Sequence, residues 1–262
     1  MHVVEDGRPG TPALLLIHGT GASAAWWAPV IPQLAGACGV IRVDLPGHGR
    51  SASPASAYDI PAQARRVGAA LDRLGVSRVT VIGHSTGGTV ATALAEQRPG
   101  TVAAQPLINT GPSPDAYIDQ GLLGGLLLAP LPGRLLWRLR TEATIRKALT
   151  SAFTRPVDIP DALIEATLGM THRAVAGTAR ASLDYLVQRS VPDRLAALGL
   201  PVLVVFGAED QRWRSSSAAA YRVVPGARVE LLPGVGHTPM MEDPQTTGKV
   251  LLDFAATAGH PS

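Results

Sequence analysis

Apolar residues in this chain come in short runs that end in glycine-containing turns. PALLLIHG (12–19), CGVIRVDLPG (38–47) and SRVTVIGHS (77–85) are the first three. Helical patterns follow the first and third, as ASAAWWAPVIPQLAG and TGGTVATALAEQRPG, and another, IPAQARRVGAALDRLG, precedes the third. TVAAQPLINT (101–110), PVLVVFGAED (201–210) and ARVELLPGVGH (227–237) continue the series, the last two separated by a helical stretch around SSSAAAYRVV. An amphipathic helix from about Pro244 to Ala258 closes the chain. Strands alternating with helices predict βαβ units, hence an α/β fold with a mostly parallel, doubly wound sheet of about six to eight strands.

Between Gly111 and about Leu200 the alternation stops. No strand run is visible there, and at least three helical patterns are, among them GRLLWRLRTEATIRKALTSAF and VAGTARASLDYLVQR. A helical insertion between two strands of a parallel sheet reads as a lid over the carboxyl edge, where open α/β sheets bind ligands. The expected division is a core domain of residues 1–111 and 196–262 and a lid of residues 112–195. The Leu-rich run Leu122, Leu123 and Leu126 to Leu128 suggests an apolar chamber, together with Trp137, Phe153, Met170 and Tyr185. From these, Trp137, Leu126, Phe153, Met170 and Tyr185 are taken as substrate-pocket candidates; the competing reading makes them the lid's own small core. Arg134, Arg138, Arg140, Arg146, Lys147 and Arg155 make the lid's middle basic, opposed by Glu142. That reads as a solvated helix face, with steering of an anionic substrate or carrier-bound acyl group as the alternative.

Composition narrows the function classes. At 262 residues, 46% hydrophobic and 16% charged, the chain has the make-up of an ordinary soluble globular protein with a substantial core. A net charge of +3 does not support nucleic-acid binding, which needs a concentrated basic stripe. Cys38 is the only cysteine, which excludes an intrachain disulfide and a cysteine-based metal site. No two histidines stand four apart, so a zinc site is not expected either. The start, MHVVEDGRPG, has no charged region followed by an apolar run, and GLLGGLLLAPLP is broken by Pro130 and Pro132 well short of a membrane span. A cytoplasmic protein without a membrane span is expected.

The chemistry sits in VTVIGHSTGGTVATAL, from Val79 to Leu94. Gly83-His84-Ser85-Thr86-Gly87 fits G-x-S-x-G between a strand and a helix, the context of a nucleophile elbow. Glycines on either side remove the Cβ atoms that so tight a turn cannot hold. A serine hydroxyl is a weak nucleophile at neutral pH and needs a base oriented by a carboxylate. Asp210 ends an apolar strand in Gly207-Ala208-Glu209-Asp210, and His237 lies in the loop after the last strand. Glu209 and Asp115 are rivals for the acid. Glu209 falls one residue short of the G-x-x-D position, and Asp115 follows the preceding strand in a proline-flanked stretch. Glu242 and Asp243 read as residues capping the last helix.

HGTG (18–21), DLPGHGRS (44–51), GHSTGG (83–88), GAED (207–210) and GVGH with Glu242 and Pro244 behind it resemble the α/β-hydrolase superfamily, in its lid-bearing group of bacterial serine esterases and lactonases. The resemblance covers essentially the whole chain and is weakest over the lid. It is also short before His18, where there is room for one strand pair. It implies Ser85 as nucleophile, His237 as base and Asp210 as the acid orienting it. An oxyanion hole would come from the backbone N–H groups of Thr86 and Thr20. His18 and His48 would brace loops around the site, and His84 would pack beneath the nucleophile.

Serine at the elbow argues against haloalkane dehalogenases and epoxide hydrolases, which carry aspartate there. Neither Lys147 nor Lys249 is placed for hydroxynitrile lyase chemistry. The expected activity is cleavage of an apolar, moderately large carboxylic ester or lactone through an acyl-enzyme, without cofactor or metal. Thioesterase, carbon–carbon bond hydrolase and cofactor-free perhydrolase activities use the same machinery and stay open. A non-catalytic small-ligand receptor of the same fold is the rival from a different class. The oligomeric state is not legible.

Overall fold

The structure is a computed structural model describing residues 1–8, 13–150 and 153–258, with nothing given for the Leu123 side chain. Pro12 of the first expected strand, the 151–152 stretch of a lid helix and the last four positions lie outside the described residues, as does the pocket contribution expected of Leu123.

Seven strands form one sheet among the described residues: β1 (His2–Asp6), β2 (Ala13–Ile17), β3 (Gly39–Asp44), β4 (Val79–His84), β5 (Val102–Ile108), β6 (Val202–Gly207) and β7 (Arg228–Leu232). Their spatial order is β1-β3-β2-β4-β5-β6-β7. Only β1 runs antiparallel, against β3; every other pairing is parallel. The central strands, β2 and β6 above all, are apolar and buried because both faces are covered, whereas the edge strands β1 and β7 are half-polar. In β2, Leu14 and Leu16 enter one core cluster while Leu15 and Ile17 enter the opposite one. In β6, Leu203 and Val205 point to the first side, and Val202, Val204 and Phe206 to a third cluster on the other.

Helices α1 (Ile31–Ala37) and α11 (Pro244–Ala258) pack together on the first face; α2 (Ile60–Arg73) and α3 (Thr86–Gln97) cover the second. Local chemistry sets several boundaries. Asp59 caps α2 by accepting the Ala62 N–H at 2.8 Å. The first expected helix is divided into a 3-10 turn (Ala24–Trp27) and α1, because Pro29 and Pro32 interrupt the backbone ladder. The stretch Ser215–Val223 is 3-10 rather than α.

Between β5 and β6 the chain forms α4 (Gly121–Leu128), α5 (Pro132–Arg138), α6 (Glu142–Thr150), α7 (Asp161–Gly169), α8 (His172–Gln188) and α9 (Val191–Leu198). The pattern read as one helix from Gly133 is two, α5 and α6. The break falls where Thr141 turns its hydroxyl to the Thr144 N–H and caps α6. The domain boundary expected at 195 falls inside α9. Its Val191 and Leu195 belong to the cluster beneath β6, and α9 ends on Gly199 at φ 64°, a left-handed stop. The last α-helices are α10 (Pro239–Glu242) and α11.

This topology fixes where chemistry can happen. After β3 the chain crosses to start β4 on the far side of β2, so strand order reverses between β2 and β4. The crevice beyond the carboxyl ends of two such strands is the ligand-binding position of open α/β sheets. Here those ends carry His18-Gly19-Thr20 and Ser85.

Candidate active site

Ser85 is the single residue between β4 and α3, at φ 53° and ψ −122°. An L-residue is strained there and persists only where its surroundings over-determine it. Its N–H donates to the Ile108 carbonyl at 2.9 Å, and its carbonyl accepts from the Gly88 N–H at 2.9 Å and the Thr110 hydroxyl at 3.1 Å. A Cβ on Gly87 would collide with the Ile17 carbonyl, and one on Gly19 would lie 3.0 Å from the Ser85 Cβ. Those two glycines let the loop after β2 press against the elbow. Thr20 and Thr86 meet there, their hydroxyls 2.9 Å apart. The Thr86 N–H opens α3 and has no acceptor within the helix, at its positive end.

His237 Nδ1 lies 3.0 Å from each oxygen of the Asp210 carboxylate. That carboxylate is buried and also accepts from the Arg212 N–H at 2.7 Å and the Trp213 N–H at 3.2 Å. Burial alone would raise its pKa. The neighbouring His237, with the Asn109 amide and the Arg212 N–H, overcomes this and holds it below the usual carboxylate value. Glu209 is exposed, and Asp115 lies exposed in a 3-10 turn (Pro114–Ala116). Of the three candidate acids, Asp210 is the one brought to His237. His84 Nε2 donates to the His237 carbonyl at 2.9 Å, and the two rings lie 4.9 Å apart. Burial, reinforced by His237, pushes His84 down to about 3, so it is a neutral prop.

Two residues here were not singled out as part of the site from sequence. Asn109 follows β5 at φ 44°; its Nδ2 donates to Asp210 Oδ2 at 2.5 Å and to the Gly236 carbonyl at 3.3 Å, and its Oδ1 accepts the Gly207 N–H at 3.2 Å. It joins the ends of β5 and β6 to the His237 loop. The available signal was an asparagine ending a strand that runs beside the Asp210 strand. Glu242, read as a cap of α11, does something else. Its buried carboxylate accepts the Gly236 and Thr238 N–H groups and the Thr238 hydroxyl, and the Thr154 and Arg155 N–H groups from the insertion. It lies one residue too early to cap α11; Asp243 takes that position and accepts the Thr246 N–H.

His18 and His48 are both buried behind the β2 and β3 loops, rings 5.3 Å apart. His18 Nδ1 donates to the Gly19 carbonyl and its Nε2 accepts the Leu45 N–H, which ties the Thr20 loop to the loop after β3. Among the described residues, no cluster of His, Cys, Asp and Glu could hold a metal ion.

The family model for the alpha/beta hydrolase family matches residues 14–248, which spans every element that forms this site. The chain belongs to that family. It is 31% identical to an uncharacterized protein of Mycobacterium tuberculosis over 250 residues, 89% of this chain and 72% of that one. A monoacylglycerol lipase of Xenopus laevis is 25% identical over 96% of this chain and 77% of its own length. The crystal structure of the enol-lactonase from Burkholderia xenovorans superposes with a TM-score of 0.76 at 21% identity, covering 97% of this chain and 96% of that one, a likeness of fold.

In this hydrolase the expected pocket residues have separate surroundings. Tyr185 is corrected: it is a core residue packed on α3, its hydroxyl donating to Glu96 at 2.8 Å and Arg194 stacked over its ring. Glu96 is eleven residues along α3 from Ser85, roughly 16 Å of helix away. Trp137 is tied into the insertion itself, Nε1 donating to the Met170 carbonyl at 2.8 Å with Arg140 over its ring. Met170 is buried beside it, and Leu126 is about half exposed on α4. Phe153 packs on Trp26, next to the segment that Glu242 holds. A cleft of about 690 Å³ opens between the insertion and the Asp210 loop, lined by Ile118, Asp119, Gln120, Thr154, Glu209 and Gln211 among others. Its walls are mainly polar, unlike the apolar chamber expected from the insertion's leucines.

Proposed function

We propose that this alpha/beta hydrolase is a serine hydrolase that cleaves carboxylic esters or lactones through an acyl-enzyme. Ser85 attacks the carbonyl carbon while His237 Nε2 takes its proton. Asp210, on the opposite ring nitrogen, holds the tautomer that leaves Nε2 free to accept, and stabilises the imidazolium that forms. The tetrahedral oxyanion sits against the backbone N–H groups of Thr86 and Thr20. Collapse expels the alcohol, which takes the proton from His237. Water, activated by the same His, then releases the acid and restores Ser85. The segment from 112 to about 190 acts as a lid beside this edge, with Phe153 packed on Trp26 of the body.

The observation that carries this reading is the pairing of His237 Nδ1 with both Asp210 oxygens at 3.0 Å, beside a serine held in strained backbone at a helix start. Esterase and lactonase chemistry is also what the lipase and enol-lactonase named above suggest for the family. The test is Ser85→Ala against a panel of esters, lactones and thioesters graded by acyl length and ring size. Turnover of the preferred ester or lactone should fall about 10⁴-fold or more with the fold retained. A fluorophosphonate should label Ser85 in the wild type only. Near-normal turnover by Ser85→Ala would remove the serine from the mechanism, and a thioester preference would overturn the substrate class.

A further inference from the structure

Seven of the twelve exposed large apolar side chains among the described residues lie between Leu122 and Leu139, on α4, α5 and their flanks. This clustering is not the scatter of single leucines that any surface carries. Leu131, Leu135 and Leu139 are 76%, 60% and 66% exposed, and Leu122 on α4 is 89% exposed. On α5 the geometry explains the exposure. Gly133 is buried against His172 of α8, and Trp137, four residues on, turns the same way to the Met170 carbonyl. Leu131 and Leu135 stand two residues from Gly133, about 200° around the helix, and so face outward. Arg134 and Arg138 form a neighbouring stripe with the same spacing of four.

The charge pattern names what fits. No acidic residue occurs from Gly121 to Thr141. Arg134 and Arg138 are exposed and make no ion pair among the described residues, whereas Arg140 is turned to the Leu168 and Met170 carbonyls. A second copy docking on the same face about a two-fold axis would bring these arginines toward their own counterparts with no carboxylate to meet them. A bilayer carrying anionic lipid offers apolar depth for the leucines and phosphate for the arginines. Helices of eight and seven residues are far too short to span, so they would lie in the interface plane.

We propose that the α4–α5 surface docks this protein on anionic lipid membranes through Leu122, Leu131, Leu135 and Leu139, with Arg134 and Arg138 on headgroup phosphates. The proposal is independent of ester cleavage, because it concerns binding. The experiment is vesicle flotation with the full chain carrying Ser85→Ala, so that no lipid ester is consumed. Phosphatidylcholine vesicles with about a third phosphatidylglycerol are compared with pure phosphatidylcholine. Binding to the anionic vesicles is expected to exceed that to neutral ones at least tenfold and to weaken at high salt. Arg134→Gln with Arg138→Gln should cost about 30-fold, from about 1 kcal/mol per arginine near an anionic surface. Leu131→Ser, Leu135→Ser and Leu139→Ser together should abolish flotation, with circular dichroism confirming the fold. If that triple variant does not fold, Leu131→Ser alone, expected to cost about tenfold, decides. No flotation of the parent protein, or equal binding by the arginine pair variant, overturns the proposal. A concentration-dependent dimer that Leu131→Ser dissolves, without flotation, overturns it in favour of a second copy.

Discussion

Two side chains at this site occupy left-handed backbone, Ser85 at φ 53° and Asn109 at φ 44°. They differ in what holds them there. Asparagine enters that region more readily than most residues, so Asn109 adds little strain while it spans Asp210, Gly236 and Gly207. Asn109→Gly keeps the backbone comfortable and deletes only the amide, which makes it the informative substitution. A lost hydrogen bond to a buried charge costs roughly 1.5–3 kcal/mol, so kcat is expected to fall about 10- to 100-fold with KM nearly unchanged. Counting active sites with a fluorophosphonate separates that fall from a smaller folded fraction; an unchanged kcat per active site would leave Asn109 a purely structural residue. Asp210→Asn should be far more severe, because it favours the wrong His237 tautomer, by about 10⁴-fold in kcat. If Asp115→Asn showed the larger loss, the acid would lie one strand away. Ser85 could be read from sequence because its motif stands between a strand pattern and a helix pattern. Asn109 could not, since its partners are about 100 residues away and only the strand order brings them together.

At the scale of elements, the connection between the insertion and the His237 loop rests on Glu242 at the end of α10. Five donors converge on one carboxylate, two of them from Thr154 and Arg155. Arg155 adds contacts of its own to the Gly234 carbonyl and the Asp243 carboxylate. Glu242→Gln keeps the shape but sets an amide N–H₂ against N–H donors, leaving at least one buried group unsatisfied at about 1–3 kcal/mol. Urea unfolding should register that loss. If the carboxylate also fixes His237, kcat should fall alike for short and long acyl substrates; unchanged kcat would confine Glu242 to joining the insertion to the body. Sequence gave no hint of this role, because a carboxylate just before a Pro-initiated helix looks like a cap. The insertion was legible as helical and not in detail. Helices of seven to nine residues carry too few turns for periodicity to separate them, so α5 and α6 read as one. The exposed leucines blurred the pattern further, since they suggested a chamber wall where the structure turns them to solvent.

For the molecule as a whole, the apolar runs were enough to foretell a parallel sheet, because strands buried on both faces leave an unambiguous pattern. The single antiparallel strand β1 was harder, with a half-polar sequence and an edge position. What the pattern could not convey is how much neutral histidine the carboxyl edge buries. His18, His48 and His84 all have depressed pKa values, chiefly through burial, and His48 and His84 are pushed to about 3. Among the described residues, His48 Nε2 and His84 Nδ1 are buried without a hydrogen-bond partner, so a proton added to either would make a buried cation that no acceptor there receives. In the unfolded chain the same rings titrate near 6.5. Below that pH the unfolded state therefore binds more protons than the native state, and stability must rise with pH across this window. The stabilisation is complete above about 6.5 and is lost progressively as pH falls toward 3. Each ring can contribute at most about 1.4 kcal/mol per pH unit, so three together set a limit near 4 kcal/mol per unit. Urea midpoints measured from pH 8 to pH 4.5 should be flat at first and then fall steeply from about 6.5, before most carboxylates protonate. His48→Gln, away from the proposed chemistry, should reduce that slope by about a third while leaving turnover at pH 8 close to normal. A stability curve that stays level down to pH 5 would mean that these rings are charged in the folded protein.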